Sequence, residues 1–208
     1  KRVWIGIVLA LCVGMIAAVG TAKAADKGKP KPAVAAASAE SVPSWTGFGF
    51  DVHGSMATGT ADFGAPFNIS MDGQMGGVSA FYNHKLGVLV LGVDAGYDRV
   101  WGDLHSFGID YAWTIGLRAG LLATSHTLVY SRAQYLKAQG SGGHIDGYGI
   151  GAGIETRLVG PASVALEYMH NWMDKDVFGP GVDVTSDQVT ARLKFNFDRQ
   201  IPNIFADR

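Results

Sequence analysis

Residues Gly147 to Leu158 read Gly-Tyr-Gly-Ile-Gly-Ala-Gly-Ile-Glu-Thr-Arg-Leu. In an extended strand successive side chains point to opposite faces. Tyr148, Ile150, Ala152, Ile154, Thr156 and Leu158 therefore share one face, and Gly149, Gly151, Gly153, Glu155 and Arg157 share the other. One face is apolar; the other is minute and then charged. Glycine weakens a strand unless something must come close to its backbone. A soluble sandwich strand also alternates, but it seldom sets three glycines and a Glu/Arg pair against its hydrophobic face. A narrow barrel with lipid outside and a few charges inside needs this pattern.

The same texture extends over most of the chain. Alternation predicts eight strands, at Thr46–Met56, Gln74–His84, Val88–Arg99, Tyr111–Leu121, Thr127–Ala138, Gly147–Leu158, Ser163–Trp172 and Asp187–Phe197. The second has no clear phase, because Phe81 and Tyr82 are adjacent aromatics. The connections alternate long and short. Thr58–Asp72, Trp101–Asp110, Gln139–Asp146 and Asp174–Ser186 read as loops. His84–Gly87, Ala123–His126 and Val159–Ala162 read as turns, the last holding Pro161, which owes no donor to a ladder. Membrane barrels have long outer loops and short periplasmic turns, and an even strand count leaves both chain ends on the periplasmic side.

Charge at mid-strand separates a membrane barrel from a soluble one. Asp51, Asp94, Asp98, Glu155 and Glu167 fall on the small-residue face, as do Arg118, Arg132, Arg157, Arg192 and Lys194. In hydrocarbon these groups are very costly unless paired. In a lumen they can pair and meet water. Trp45, Tyr97, Trp101, Tyr111, Trp113, Tyr168 and Trp172 lie mostly near segment ends, where membrane barrels carry aromatic girdles.

Composition fits one domain with a tail. Of 208 residues, 48% are hydrophobic and 17% charged, and the 29 glycines are about double the usual share. A net charge of -1 implies no general attraction to nucleic acid. Lys1 and Arg2, the apolar run Val3–Gly20 and the Ala22-Lys23-Ala24 site before Ala25 predict a signal peptide over residues 1–24. An uncleaved anchor is the competing reading, since the run is about long enough to span. The lone Cys12 lies in this segment and follows Leu11, which excludes lipidation, so the mature chain has no disulfide. Removing Lys1, Arg2 and Lys23 from 17 cations leaves 14 against 18 acids, a formal net of -4. Residues 25–44, with Lys-Pro-Lys-Pro at Lys29–Pro32 and an Ala/Ser run, read as a flexible periplasmic spacer. It is a solvated leader or, through its lysines, a contact for cell-wall material or anionic lipid.

Ser44-Trp45-Thr46-Gly47-Phe48, Val90-Leu91-Gly92-Val93-Asp94, Gly116-Leu117-Arg118-Ala119-Gly120, Gly149–Glu155 and Leu166-Glu167-Tyr168 together resemble the small outer-membrane barrel proteins of alphaproteobacteria. These are porin-like and opacity-type, with an OmpA-like membrane domain, and the likeness covers about Trp45 to Phe197. It implies an eight-stranded antiparallel up-and-down transmembrane β-barrel in a Gram-negative outer membrane. It also implies lipid and lipopolysaccharide around it, insertion by the assembly machinery, and no catalytic residues. Such proteins commonly end on an aromatic residue. Here the aromatic strand end is Leu193, Phe195 and Phe197, the expected assembly signal, and a tail follows over residues 198–208. The loops are short for a host-contact surface.

No enzyme emerges from the residues. The six histidines are scattered, none at metal-ligand spacing with another. A lipid-modifying barrel enzyme wants His, Ser and an acid together, and His170 has Asn171 and Trp172 beside it. His53 points toward the lumen near Asp51. Gly147–Gly151 is no phosphate loop, because no helix follows. No cofactor is implied. The expectation is a structural barrel for envelope integrity and surface presentation, its lumen plugged by salt bridges. The alternatives are a narrow porin for small solutes or ions and a secreted soluble barrel with a ligand inside. The last needs an apolar interior and a polar exterior.

Overall fold

A computed structural model of the chain describes residues 44–62, 68–106, 108–140, 143–158, 160–173 and 183–197. The expected signal peptide, nearly all of the spacer and the tail lie outside the described residues. Eight strands run in order: β1 (Gly47–Asp62), β2 (Asn68–Leu86), β3 (Leu89–Gly102), β4 (Tyr111–Leu122), β5 (Thr127–Gly140), β6 (Gly143–Arg157), β7 (Ala162–Met173) and β8 (Asp183–Phe197). One helical turn, α1 (Asp103–Ser106), lies between β3 and β4. Each strand pairs antiparallel with its neighbour, and β8 returns to β1, from Phe48 opposite Phe197 to Asp62 opposite Asp183. Closure leaves no sheet edge, which a bilayer demands because it offers backbone groups no partner.

Every strand turns one face outward. On β1 the outward residues are Phe48, Phe50, Val52, Gly54 and Met56, then Thr58, Thr60 and Asp62. On β8 they run from Phe197 through Phe195, Leu193, Ala191 and Val189 to Asp187. At about 3.3 Å per residue the apolar part of β1 is about 26 Å long, or about 20 Å along the axis once tilted by roughly 40°. That approaches the apolar band of a thin outer membrane. Phe48 packs on Tyr82, and Phe50 on Phe195 and Phe197, at the periplasmic edge. Tyr97 packs on Trp113 and Tyr111, and Tyr148 on Trp172, at the outer edge. Two aromatic girdles result.

This exterior overturns the soluble ligand-binding alternative. Ile115 is 65% exposed while Glu155 is 1% exposed, the reverse of what a water-soluble barrel requires. The strands are also taller than the sequence indicates. Most of Thr58–Asp72 is strand, since β1 reaches Asp62 and β2 begins at Asn68. Thr58–Asp62 and Asn68–Asp72 pair above the lipid band, where the ladder still satisfies the backbone and the side chains meet water. Periplasmic turns stay short. Gly87, with φ of 64°, occupies left-handed backbone between β2 and β3, and Gly160, with φ of 66°, does so between β6 and β7.

The phase of β2 is settled. Phe81 turns inward and Tyr82 outward. Trp45 does not join a girdle. It is 0% exposed, packed with Val90, Leu128 and Tyr130 at the periplasmic end of the lumen.

Candidate functional site in the lumen

Alternation aims Asp51, Asp94, Asp98, Arg118, Arg132, Glu155, Arg157, Glu167, Arg192 and Lys194 into the barrel. Small residues on adjacent strands make room for them. A Cβ on Gly116 would stand 2.8 Å from the Arg132 Nε, and one on Gly92 would stand 2.9 Å from the Arg118 side chain. On the opening stretch, a Cβ on Gly153 would meet Tyr130 Cζ at 2.6 Å. Its neighbours Gly149 and Gly151 lie against Asn171 and Met169. The glycines of β6 are thus where large lumen side chains from β5 and β7 cross.

The lower layer centres on Glu155. It accepts from Arg118 Nη1 at 2.7 Å and from Ser163 Oγ at 2.8 Å, and it pairs with Lys194 Nζ at 3.0 Å. Arg118 Nε also donates to Asn83 Oδ1 at 2.9 Å. Lys194 Nζ lies 4.2 Å from the Phe81 ring centroid, and the Arg118 guanidinium stands over Phe81 and Tyr130. Aromatic faces supply the cations with further attraction where water is scarce.

The upper layer is a chain of alternating charge. Arg132 holds Asp94 through Nε, at 3.1 Å, and through a second, shorter bond. Arg132 Nη1 also reaches Glu167 at 3.2 Å. Arg192 Nη2 reaches the same Glu167 oxygen at 3.2 Å, and its Nη1 reaches Asp51 at 3.2 Å. His53 lies between two acids, Nδ1 2.7 Å from Asp51 and Nε2 2.8 Å from Asp98. A carboxylate faces each ring nitrogen, and Arg192 Nη1 also lies 3.3 Å from Nδ1. The Arg157 guanidinium stacks on Trp45, 4.6 Å from the ring centroid.

Residues that the sequence leaves unmarked complete the layers. Tyr130 donates to Glu167 at 3.1 Å, and Gln134 accepts from Arg132 at 2.6 Å and donates to Asn171 at 2.8 Å. Their inward phase was readable from alternation, as was the nearness of Gln134 to Arg132 two residues before it; Glu167 and Asn171 were not, because each lies 37 residues from its partner. Phe81 lacked even the phase signal. Buried ion pairs of this kind give little net stability over an apolar fill, but removing one partner is severe. They set fixed charge of both signs facing into the lumen.

Outside the barrel, Tyr168 donates to Asp187 at 2.5 Å and His170 Nδ1 contacts the same oxygen at 2.8 Å. His170 meets Trp172 edge-on at 4.5 Å. This cluster stands at the outer girdle. Among the described residues no three His, Cys, Asp or Glu are grouped to hold a metal.

The apolar exterior, aromatic girdles and charged lumen define a bilayer-spanning β-barrel of the outer-membrane type. No protein-family model and no curated protein sequence matches the chain. Solved structures similar to it include Neisserial surface protein A, at 19% identity over 71% of this chain and 97% of that one, with a TM-score of 0.46. Ail, the attachment invasion locus protein of Yersinia pestis, is 14% identical over 72% of this chain and 99% of its own, with a TM-score of 0.36. The beta domain of the Bordetella autotransporter BrkA is 15% identical over 73% of this chain and 68% of its own, with a TM-score of 0.38. The architecture rests on the barrel's own pairing and exposure.

Proposed function

We propose that the protein is a structural barrel of a Gram-negative outer membrane, of the alphaproteobacterial porin-like and opacity type its motifs resemble. It supports envelope integrity and surface presentation with a lumen closed to solutes. The observation that carries this reading is the two-layer ion-pair network, in which Arg118, Glu155 and Lys194 lie below Arg132, Arg192 and Glu167. Trp45 underlies both layers. A solute crossing the barrel would have to part several desolvated charge pairs, each costing several kcal/mol to break.

The lumen does no chemistry in this reading. Ser79 Oγ lies 3.5 Å from His53 Nδ1, but it donates to Asp51 at 3.0 Å and receives Arg192 Nη1 at 3.1 Å. Nδ1 itself is engaged with Asp51. The hydroxyl is thus held between an acid and a guanidinium rather than presented to a base. Partners in this reading are lipid and lipopolysaccharide against the outer face, assembly machinery reading Leu193, Phe195 and Phe197, and cell-wall material near the spacer.

Reconstitution tests it. Vesicles carrying the barrel should leak small sugars and ions no faster than empty ones. Steady single-channel currents in planar bilayers would replace this reading with the narrow porin.

A further inference from the structure

Above the ion-pair layers the inside of the barrel changes character. Met71, Met75, Ala112, Ile145, Met173 and Val184 wall a chamber of about 90 Å³ in its outer half. Asp98, Gln134, Asn171 and Arg192 lie at its lower end. That is space for several water-sized groups, enclosed mostly by hydrocarbon and thioether. Methionine adapts its shape and polarises, so it suits walls that receive varied apolar bodies.

A second observation points to a ligand. The Arg192 side chain is 9% exposed, and its Nη atoms are committed to Asp51, Ser79 and Glu167. Its Nε is buried and has no hydrogen-bond partner among the described residues. A buried donor without an acceptor is costly. The charged groups around it already contact one another, Asp98 and Asp51 with His53, Asp51 and Glu167 with Arg192, and Glu167 and Asp94 with Arg132. A further full charge would be desolvated without a counterion.

We propose that the outer half of the lumen is a dead-end binding site for a small uncharged molecule with an apolar body and one hydrogen-bond acceptor, such as a ketone or ester. The acceptor takes the Arg192 Nε proton, and the body lies among the methionines and aliphatic residues. The proposal adds a ligand to the barrel and needs no passage through it.

The test uses the full mature chain in lipid nanodiscs with carbon-13 methionine methyls. Met56 is an internal control, because it stands on the lipid face and reports partition into the bilayer. Titration with 2-pentanone should shift Met71, Met75 and Met173 saturably and leave Met56 unmoved. Pentanoate and pentylammonium should leave all four unmoved at the same concentrations. Arg192→Lys keeps the cation but removes Nε, and should weaken binding about tenfold, the worth of one hydrogen bond to a charged group. Ala112→Phe fills the chamber and should abolish the shifts while keeping heat-modifiable migration; Ala138→Leu serves if that variant does not fold. Linear shifts that include Met56, equal binding of either ion, or shifts that survive filling would overturn the proposal. Unchanged affinity in Arg192→Lys would remove the acceptor from it.

Discussion

Arg157 and Trp45 are stacked, guanidinium over indole, at the periplasmic end of the barrel. Arg157 also donates to the Ser44 carbonyl, and the indole Nε1 donates to the Ser125 carbonyl at 3.0 Å. The residues just before β1 are thereby drawn across the end of the lumen and tied to the turn between β4 and β5. Trp45→Ala removes a wholly buried side chain. It should cost about 3–5 kcal/mol, as large aromatic truncations do, read by urea unfolding in vesicles. Conductance should stay at background, because both ion-pair layers remain above it. A stable Trp45→Ala variant would show that the indole is not an anchor.

Glu155 is the acid that both Arg118 and Lys194 contact in the lower layer. Glu155→Gln takes from two buried cations the carboxylate they share and should cost about 3–5 kcal/mol. Lys194→Met should cost much less, since Glu155 keeps Arg118 and Ser163 and the methyl thioether can still pack on Phe81. The ordering of the two variants in one unfolding series is the check. Equal losses would mean that the charges are hydrated and the bore is wet.

How far the sequence carries this structure depends on the residue. Gly149, Gly151 and Gly153 opposite Tyr148 and Ile150 define the two faces of β6, because strand period is a local property. The inward turn of Asp94 and Arg132 follows the same way. Their pairing does not, since 38 positions separate them and only the strand order and register bring them together. Phe81 and Tyr82 are locally equivalent. Phe81 is inside because Arg118 and Lys194 stand there to meet its ring. Trp45 looks like a girdle residue by position, and its burial depends on Ser125 and Arg157, neither of which is near it in the chain. The height of β1 and β2 was hidden because the pattern inverts above the lipid: Thr58, Thr60, Ser70 and Asp72 face out and Gly59, Ala61 and Met71 face in, so an apolar face no longer marks the outside.

Gly153 makes room for Tyr130, and a Cβ there would stand 2.6 Å from the ring. Gly153→Val should therefore displace Tyr130 and break its bond to Glu167, at about 1–3 kcal/mol for an overpacked interior. Adding Tyr130→Ala should recover part of that loss, which a double-mutant cycle would read as coupling between sites in contact. Strict additivity of the two substitutions would show that the glycine serves the backbone rather than the ring.

Ile115 and Gln139 both face outward on neighbouring strands, one in the middle of the apolar band and the other near the outer end of β5. Lysine at Ile115 must bring an ammonium into hydrocarbon, which costs about 2–4 kcal/mol at the midplane of such barrels. Lysine at Gln139 stands near the headgroups and should cost close to nothing. The contrast depends on lipid alone, because both sites are open and neither substitution removes a lumen contact. Unfolding in vesicles should separate the two variants, while in a water-filled surrounding they would behave alike. Equal stability would mean that the phenylalanines, leucines and isoleucines of the exterior do not face a bilayer, and the assignment of the two faces would fail with it.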